Sequence, residues 1–162
     1  GETIELREFL FGSERESLNI YRTFLKEIQS GGCFYCRDRI LGAGDVDHFI
    51  PWVKYPVDLG HNFVLAHPNC NRHKRDYLAA EHHLQNWLER NSRHDRDLRL
   101  FFDEKGIMGD LSVSHKITCW AYEQATRAKS HVWVIENETR EIGTYWKRLF
   151  PEGPADLPRA AE

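Results

Sequence analysis

Apolar positions recur at helical spacing in several stretches of the chain and bunch into short runs in others. From Ser13 to Gln29, Leu18, Tyr21, Leu25 and Ile28 fall on one face, the pattern of an amphipathic helix. Ser13 and Glu16 form an S-x-x-E capping box at its start, and Gly31-Gly32 stop it. CFYC (33–36) and DVDHFIP (45–51) are short aromatic or β-branched runs with glycines between them, which predicts a β-hairpin ended by Pro51. WVKYPVDLGH reads as a loop, and NFVLAH (62–67) as a further strand. From Pro68, PNCNRHKRDYLAAEHHLQNWLER lacks glycine and is rich in helix formers, so one helix is expected from there to about Arg90, with Pro68 in its first turn. Ser92 and Asp95 suggest a new cap for a helix to about Asp103, carrying Leu98, Phe101 and Phe102. A further helix is expected from about Val113 to Lys129, with Ile117, Trp120 and Ala121 on one face, and a strand at VWVI (132–135). PEGPADLPRAAE (151–162) reads as a disordered tail.

This order of elements predicts an α+β fold, divided into a helical segment over 1–30, a core over 31–91, an extension of the same domain over 92–150 and a tail over 151–162. The chain of 162 residues is 41% hydrophobic and 29% charged, as expected of a folded globular protein. No apolar run approaches the roughly 18 residues of a membrane span, and no secretory signal is visible. The chain opens at Gly1 and its one Met is Met108, so a processed chain or a fragment of something longer is expected. A net charge of −3 argues against non-specific coating of nucleic acid. Residues 31–77 are the least acidic part, with Arg37, Arg39, Lys54, Arg72, Lys74 and Arg75 against Asp38, Asp45, Asp47, Asp58 and Asp76. The weak charge balance hints that another domain or a partner protein delivers or activates the substrate.

The four cysteines, Cys33, Cys36, Cys70 and Cys119, are unevenly spaced among many histidines. That usage fits a metal site in a cytoplasmic protein better than a disulfide framework. Cys33-x-x-Cys36 is one metal knuckle, and His67-x-x-Cys70 repeats the spacing beyond the next two strands. Together they offer a closed Cys₃His set for structural zinc, with no position left for substrate. His73 or Cys119 could supply the fourth ligand in place of His67, although Cys119 in an apolar helix reads more simply as a buried thiol.

Between and just after the knuckles lie Asp47, His48, Asn62 and Asn71. A carboxylate beside a histidine, flanked by Val46, Phe49 and Ile50, is costly to fold unless something uses it. Neighbours on a strand face opposite ways. Asp47 and His48 can therefore take different roles only where the strand ends or bends.

From about Cys33 to Asp76, through DVDHFIPW, LGHNFVLAH and CNRHK, the chain resembles the HNH endonuclease family, in its zinc-knuckle-bearing subclass. DVDH also looks like the HNH domain of RNA-guided CRISPR nucleases. The resemblance implies a ββα-metal core with a structural zinc, surrounded by added helices and a small C-terminal strand. It implies a divalent cation, Mg²⁺ or Mn²⁺, on Asp47 and Asn71, with His48 as general base and Asn62 orienting the imidazole or tightening the loop. Many members carry His where this chain has Asn71, and CxxC is commoner than HxxC at the second knuckle. Asp45 reads as the end of a turn rather than a ligand. Arg72, Lys74 and Arg75 open the helix after the last ligand, where phosphate contacts are expected. His61 and His73 read as bystanders or phosphate contacts. The expected activity is hydrolysis of phosphodiester bonds in double-stranded DNA, in restriction, phage defence or mobile-element biology. Two rivals are a zinc-knuckle nucleic-acid-binding module without catalysis, for which the four Asp, His and Asn positions would be superfluous, and an RNA-cleaving enzyme with the same machinery.

Overall fold

The structure is a computed structural model that describes residues 15–56 and 59–151, with side chains from Asn19 onward. The Ser13 capping box and the 152–162 tail lie outside the described residues. In chain order the elements are α1 (Arg15–Ile28), β1 (Asp45–His48), a 3₁₀ turn (Gly60–Asn62), β2 (Phe63–Ala66), α2 (Pro68–Lys74), α3 (Glu81–Arg93), α4 (Asp95–Lys105), α5 (Leu111–Arg127), β3 (His131–Ile135), β4 (Glu138–Glu141) and a 3₁₀ turn (Tyr145–Leu149). The fold is α+β, with two separate antiparallel ribbons and helices packed on them. Among the described residues no helix is long and apolar enough to cross a membrane.

The first ribbon corrects the expected hairpin. DVDH does not pair with CFYC but with FVLA, in the register Asp45↔Ala66 to His48↔Phe63. CFYC is a tight turn instead, closed by Arg37 N–H to Cys33 O at 3.0 Å and by a bridge between Gly32 and Arg39. Phe34 N–H reaches Leu65 O at 2.9 Å, so the turn docks along β2. Gly44 enters β1 at φ 79 with its Cα against Leu65, where a Cβ would sit 3.1 Å from that side chain. The backbone angle thus favours glycine, and a Cβ there would also press on Leu65. Gly31, at φ 78, ends α1 as its glycines foretell.

The long helix expected from Pro68 to about Arg90 is broken. Arg75 turns out of helix at φ 51, and Leu78, Ala79 and Ala80, all buried, run extended beside Trp133. Trp133 N–H donates to Leu78 O and Ala80 N–H to Trp133 O, each at 2.8 Å. Helix propensity in LAA loses to tertiary pairing here. The expected strand at 132–135 is present as β3, and β4 is its unforeseen partner. Ser92 is not a cap: α3 runs on to Arg93, and His94 makes the junction with α4. α5 starts at Leu111 because the Asp110 carboxylate accepts Val113 N–H at 3.1 Å.

One hydrophobic cluster runs from Tyr21 and Leu25 of α1 through Phe63–Ala66, Leu84 and Trp87 to Trp133 and Trp146. α1 packs on β2, α2 on both β1 and β3, α3 on α4 and α5 on the Gly60–Asn62 turn. The core also takes in histidines. His61 is wholly buried, with neither ring nitrogen bonded, and lies edge-on to Phe102 at 5.0 Å. His83 is 1% exposed and stacks on Trp133. Burial pushes both imidazoles down from the usual 6.5 to about 4, helped in His61 by the charge of Arg90.

An acid-side loss of stability follows. Both groups bind protons more tightly in the unfolded chain, so the stability of the neutral fold is complete above about pH 6.5 and falls as pH drops toward 4. Each contributes at most about 1.4 kcal/mol per pH unit across that window. Chemical denaturation from pH 7 to 4.5 should give this slope, and His61→Leu should make it shallower. An equal slope in the variant would assign acid lability to other groups.

Candidate metal centre and phosphodiester site

The two knuckles meet. Cys33, Cys36, His67 and Cys70 offer ligand atoms that all lie within 4.8 Å of one another. Cys33 and Cys36 come from the turn after α1, and His67 and Cys70 from the junction of β2 with α2. His67 turns Nδ1 toward the sulfurs, 3.3 Å from Cys36 Sγ and 3.9 Å from Cys70 Sγ. Its Nε2 lies 3.0 Å from Arg39 O. A carbonyl only accepts, so Nε2 carries the proton and a neutral ring leaves the Nδ1 lone pair for a metal. Burial works against ionisation of Cys33, but the N–H groups of Cys36, His67 and Tyr35 at its sulfur outweigh it and hold its pKa low. Burial and the neighbouring sulfurs push Cys70 up strongly. A cation among them would relieve that crowding. Three soft sulfurs and an imidazole at this spacing are compatible with zinc. Cys119 is buried in α5 and His73 is outside the group, so neither competes with His67.

Next to this centre, β1 carries Asp45 and Asp47 toward α2. Asn71 Nδ2 donates to Asp45 Oδ2 at 3.3 Å. The structure thus brings Asn71 together with Asp45, the aspartate that sequence reasoning set aside, and not directly with Asp47. Strand alternation was the signal that could have found it, since Asp45 and Asp47 are two apart. Asp47 Oδ2 accepts the Tyr35 hydroxyl at 2.5 Å and lies 3.3 Å from Lys74 Nζ. Burial first, then the charge of Asp47, raises the Tyr35 pKa well above its usual value, so the phenol remains a donor.

Lys74 requires a correction. Expected at the surface as a phosphate contact, it is 1% exposed and its ammonium is spent on Asp47 and, at 3.0 Å, on His48 O. Helix geometry explains this: Lys74 lies three residues from Asn71 on the same inward face of α2. Arg72 and Arg75 are exposed, Arg72 bonded to Asn69 Oδ1 at 2.7 Å. His61, expected as a bystander or phosphate contact, is buried in the core against Phe102.

His48 is the last residue of β1, where the strand gives way to a bend. Its ring packs 4.9 Å from Phe63 and 6.2 Å from Trp52, and it is half-buried. The backbone after it is held from several sides. Lys74 holds His48 O, and Phe49 N–H donates to Asn62 O at 2.7 Å. The Asn62 side chain then closes a ring with Ile50, accepting its N–H at 2.7 Å and donating to its carbonyl at 2.9 Å. Both amide atoms of Asn62 are therefore spent on the loop. Of the two expected roles, these bonds are those of loop tightening.

Two further residues were not foreseen. Arg90 is buried, and its guanidinium donates to His61 O and Phe63 O, both at 2.6 Å. Trp87 Nε1 donates to the same His61 carbonyl at 2.8 Å. These bonds clamp the turn that presents Asn62. Burial alone lowers the Arg90 pKa to about 10, and it remains charged.

Residues 33–77 match the family model of the HNH endonucleases. No curated protein and no solved structure matches the chain. The chain thus carries an HNH endonuclease domain over that span, in an α+β frame with a Cys₃His group, consistent with the ββα-metal fold. Such a domain implies nuclease-type function and a nucleic-acid substrate.

Elemental analysis of the purified chain should find one zinc per molecule. Cys70→Ser should lose it and unfold at markedly lower temperature, while Cys119→Ser should keep both zinc and stability. Retention of full zinc by Cys70→Ser would refute the assigned ligand set.

Proposed function

We propose that the protein is a divalent-metal-dependent endonuclease that hydrolyses phosphodiester bonds of double-stranded DNA. The observation that carries this reading is that α2 meets both aspartates of β1, Asn71 at Asp45 and Lys74 at Asp47, with His48 ending the same strand inside the HNH match. The oxygen donors of this set fit a hard cation such as Mg²⁺ or Mn²⁺, and the thiolate group suits zinc, so the two metals sort by ligand chemistry.

His48 acts as the general base. Its imidazole takes the proton of the attacking water, the work of a general base. Asp47 and Asn71 would hold the cation, and Asp45, bonded to Asn71, would orient that amide and could add an oxygen. When bound, the cation neutralises the scissile phosphate and the leaving 3′ oxygen. Asn62 and Lys74 keep the His48–Ile50 backbone in place, so the imidazole meets the water without first having to order its loop. Arg72 and Arg75, exposed on and just after α2, contact flanking phosphates. The net charge of −3 fits an enzyme whose DNA is delivered by a further domain or a partner, and the cysteine usage fits work in the cytoplasm.

Supercoiled plasmid incubated with the zinc-loaded chain should be nicked or linearised with Mg²⁺ or Mn²⁺ and not with EDTA. His48→Ala should lower the rate about 10²- to 10⁴-fold with zinc and fold intact. Equal cleavage by wild type and variant would show that His48 is not the base. A wild-type chain that leaves plasmid intact but cuts RNA would replace the substrate. One that binds DNA and cuts neither would favour the zinc-knuckle binding module.

A further inference from the structure

A carboxylate on a short side chain can meet a cation with one oxygen or with both. At Asp47 that choice is already made. Tyr35 O–H and the Lys74 ammonium both engage Oδ2, at 2.5 Å and 3.3 Å. Oδ1 has no partner among the described residues. Lys74 belongs to the motif that the family match covers. Tyr35 lies between the two cysteines of the first knuckle and ligates nothing there.

The surroundings of Tyr35 are built to hold its ring. It is 4% exposed and stands edge-on to His83 at 5.3 Å and to Trp133 at 5.1 Å. Those two rings stack on each other, 5.3 Å apart and 11° from parallel. Each is tied down in turn, His83 Nε2 by Val134 O at 2.7 Å and Trp133 Nε1 by Glu136 O at 2.9 Å. The Tyr35 ring therefore cannot swing away from Asp47 without disturbing α3 and β3, both of which lie outside the matched span of 33–77. A phenylalanine would fill the same volume. What the hydroxyl adds is a bond that needs a partner when buried, and Asp47 Oδ2 is that partner.

We infer that Tyr35 is a positioning residue and a selectivity determinant of the cation site: its hydroxyl, braced by His83 and Trp133, turns Asp47 so that only Oδ1 faces an incoming divalent cation. This rests on the reading that Asp47 is a cation ligand. Mg²⁺ demands compact octahedral geometry and takes one oxygen per carboxylate, whereas Ca²⁺ accepts two from the same group. A carboxylate locked by one oxygen thus favours the smaller ion.

The test is cation competition on the zinc-loaded full chain, followed by the electron paramagnetic resonance signal of bound Mn²⁺. Tyr35→Phe should shift the ratio of Ca²⁺ to Mg²⁺ needed to displace Mn²⁺ toward Ca²⁺ by about tenfold. A ratio equal to wild type, whether the affinities hold or fall together, overturns the proposal, as does a shift toward Mg²⁺. If Tyr35→Phe fails to retain zinc, 3-fluorotyrosine at position 35 keeps the hydroxyl and makes it a stronger donor, so the ratio should shift toward Mg²⁺, and an unchanged ratio or a shift toward Ca²⁺ overturns the proposal. Asp47→Asn separates the two levels of the argument: wild-type Mn²⁺ binding by that variant would remove the cation reading itself, not merely the part of Tyr35 in it.

Discussion

Three sulfurs and an imidazole within 4.8 Å of one another are the constraint on which the rest of the site hangs. β1 and β2 have four residues each and α2 has seven. Elements so short do not persist by themselves in water. Joining the Cys33–Cys36 turn to the start of α2 fixes the direction in which α2 leaves β2. That direction decides where Asn71 and Lys74 point. The same join pins the turn that carries Tyr35 beneath β1. Both sets of contacts to the aspartates, one from each side of the Cys₃His group, thus depend on how that group brings the two segments together.

A second constraint is the use of buried charge. Lys74 and Arg90 come from two different helices, and each meets backbone carbonyls at the ends of the segment from His48 to Phe63. Burying an ammonium or a guanidinium costs more than burying a well-packed apolar side chain. An aliphatic residue at either place would not hold a carbonyl in one position. Asn62 does the same with an uncharged amide. Three polar side chains therefore fix one loop, and that loop begins at the proposed base.

The legible part of the molecule was the part in which chemistry is tied to local spacing. CFYC with HPNC disclosed the Cys₃His group, and DH followed by the two asparagines pointed to the family whose model matches residues 33–77, because each of these signals lies in local spacing. The Gly31 stop and the strands at 62–67 and 132–135 were readable for the same reason. What stayed hidden is decided at long range. The partner of DVDH is FVLA because CFYC is folded into a turn closed by Arg37 N–H on Cys33 O. The helix breaks at Arg75 because LAA is needed as an extended segment beside Trp133. Lys74 looked like a surface charge in a basic run, and only the orientation of α2 turns it inward. Tyr35 and Arg90 carry no motif, since their partners are 12, 27 and 29 positions away.

Those hidden contacts also change what the residues after 77 are for. The matched span ends at Tyr77, yet Arg90, Trp87 and His83 of α3 and Trp133 of β3 all touch the frame of the site. Tyr35 is enclosed only when α3 and β3 are in place, and the Asn62 turn is clamped only by α3. Those elements are thus part of what holds the site. Their residues lie in the same hydrophobic cluster as β1 and β2, so the free energy of folding and the geometry of Asp47 draw on the same contacts. A substitution that loosens β3 acts on Asp47 through Trp133 and Tyr35. The aromatic and buried basic residues of α3 and β3 are therefore where tolerance to change should be lowest outside the HNH span, even though none of them ligates a metal or faces a phosphate in the proposed mechanism.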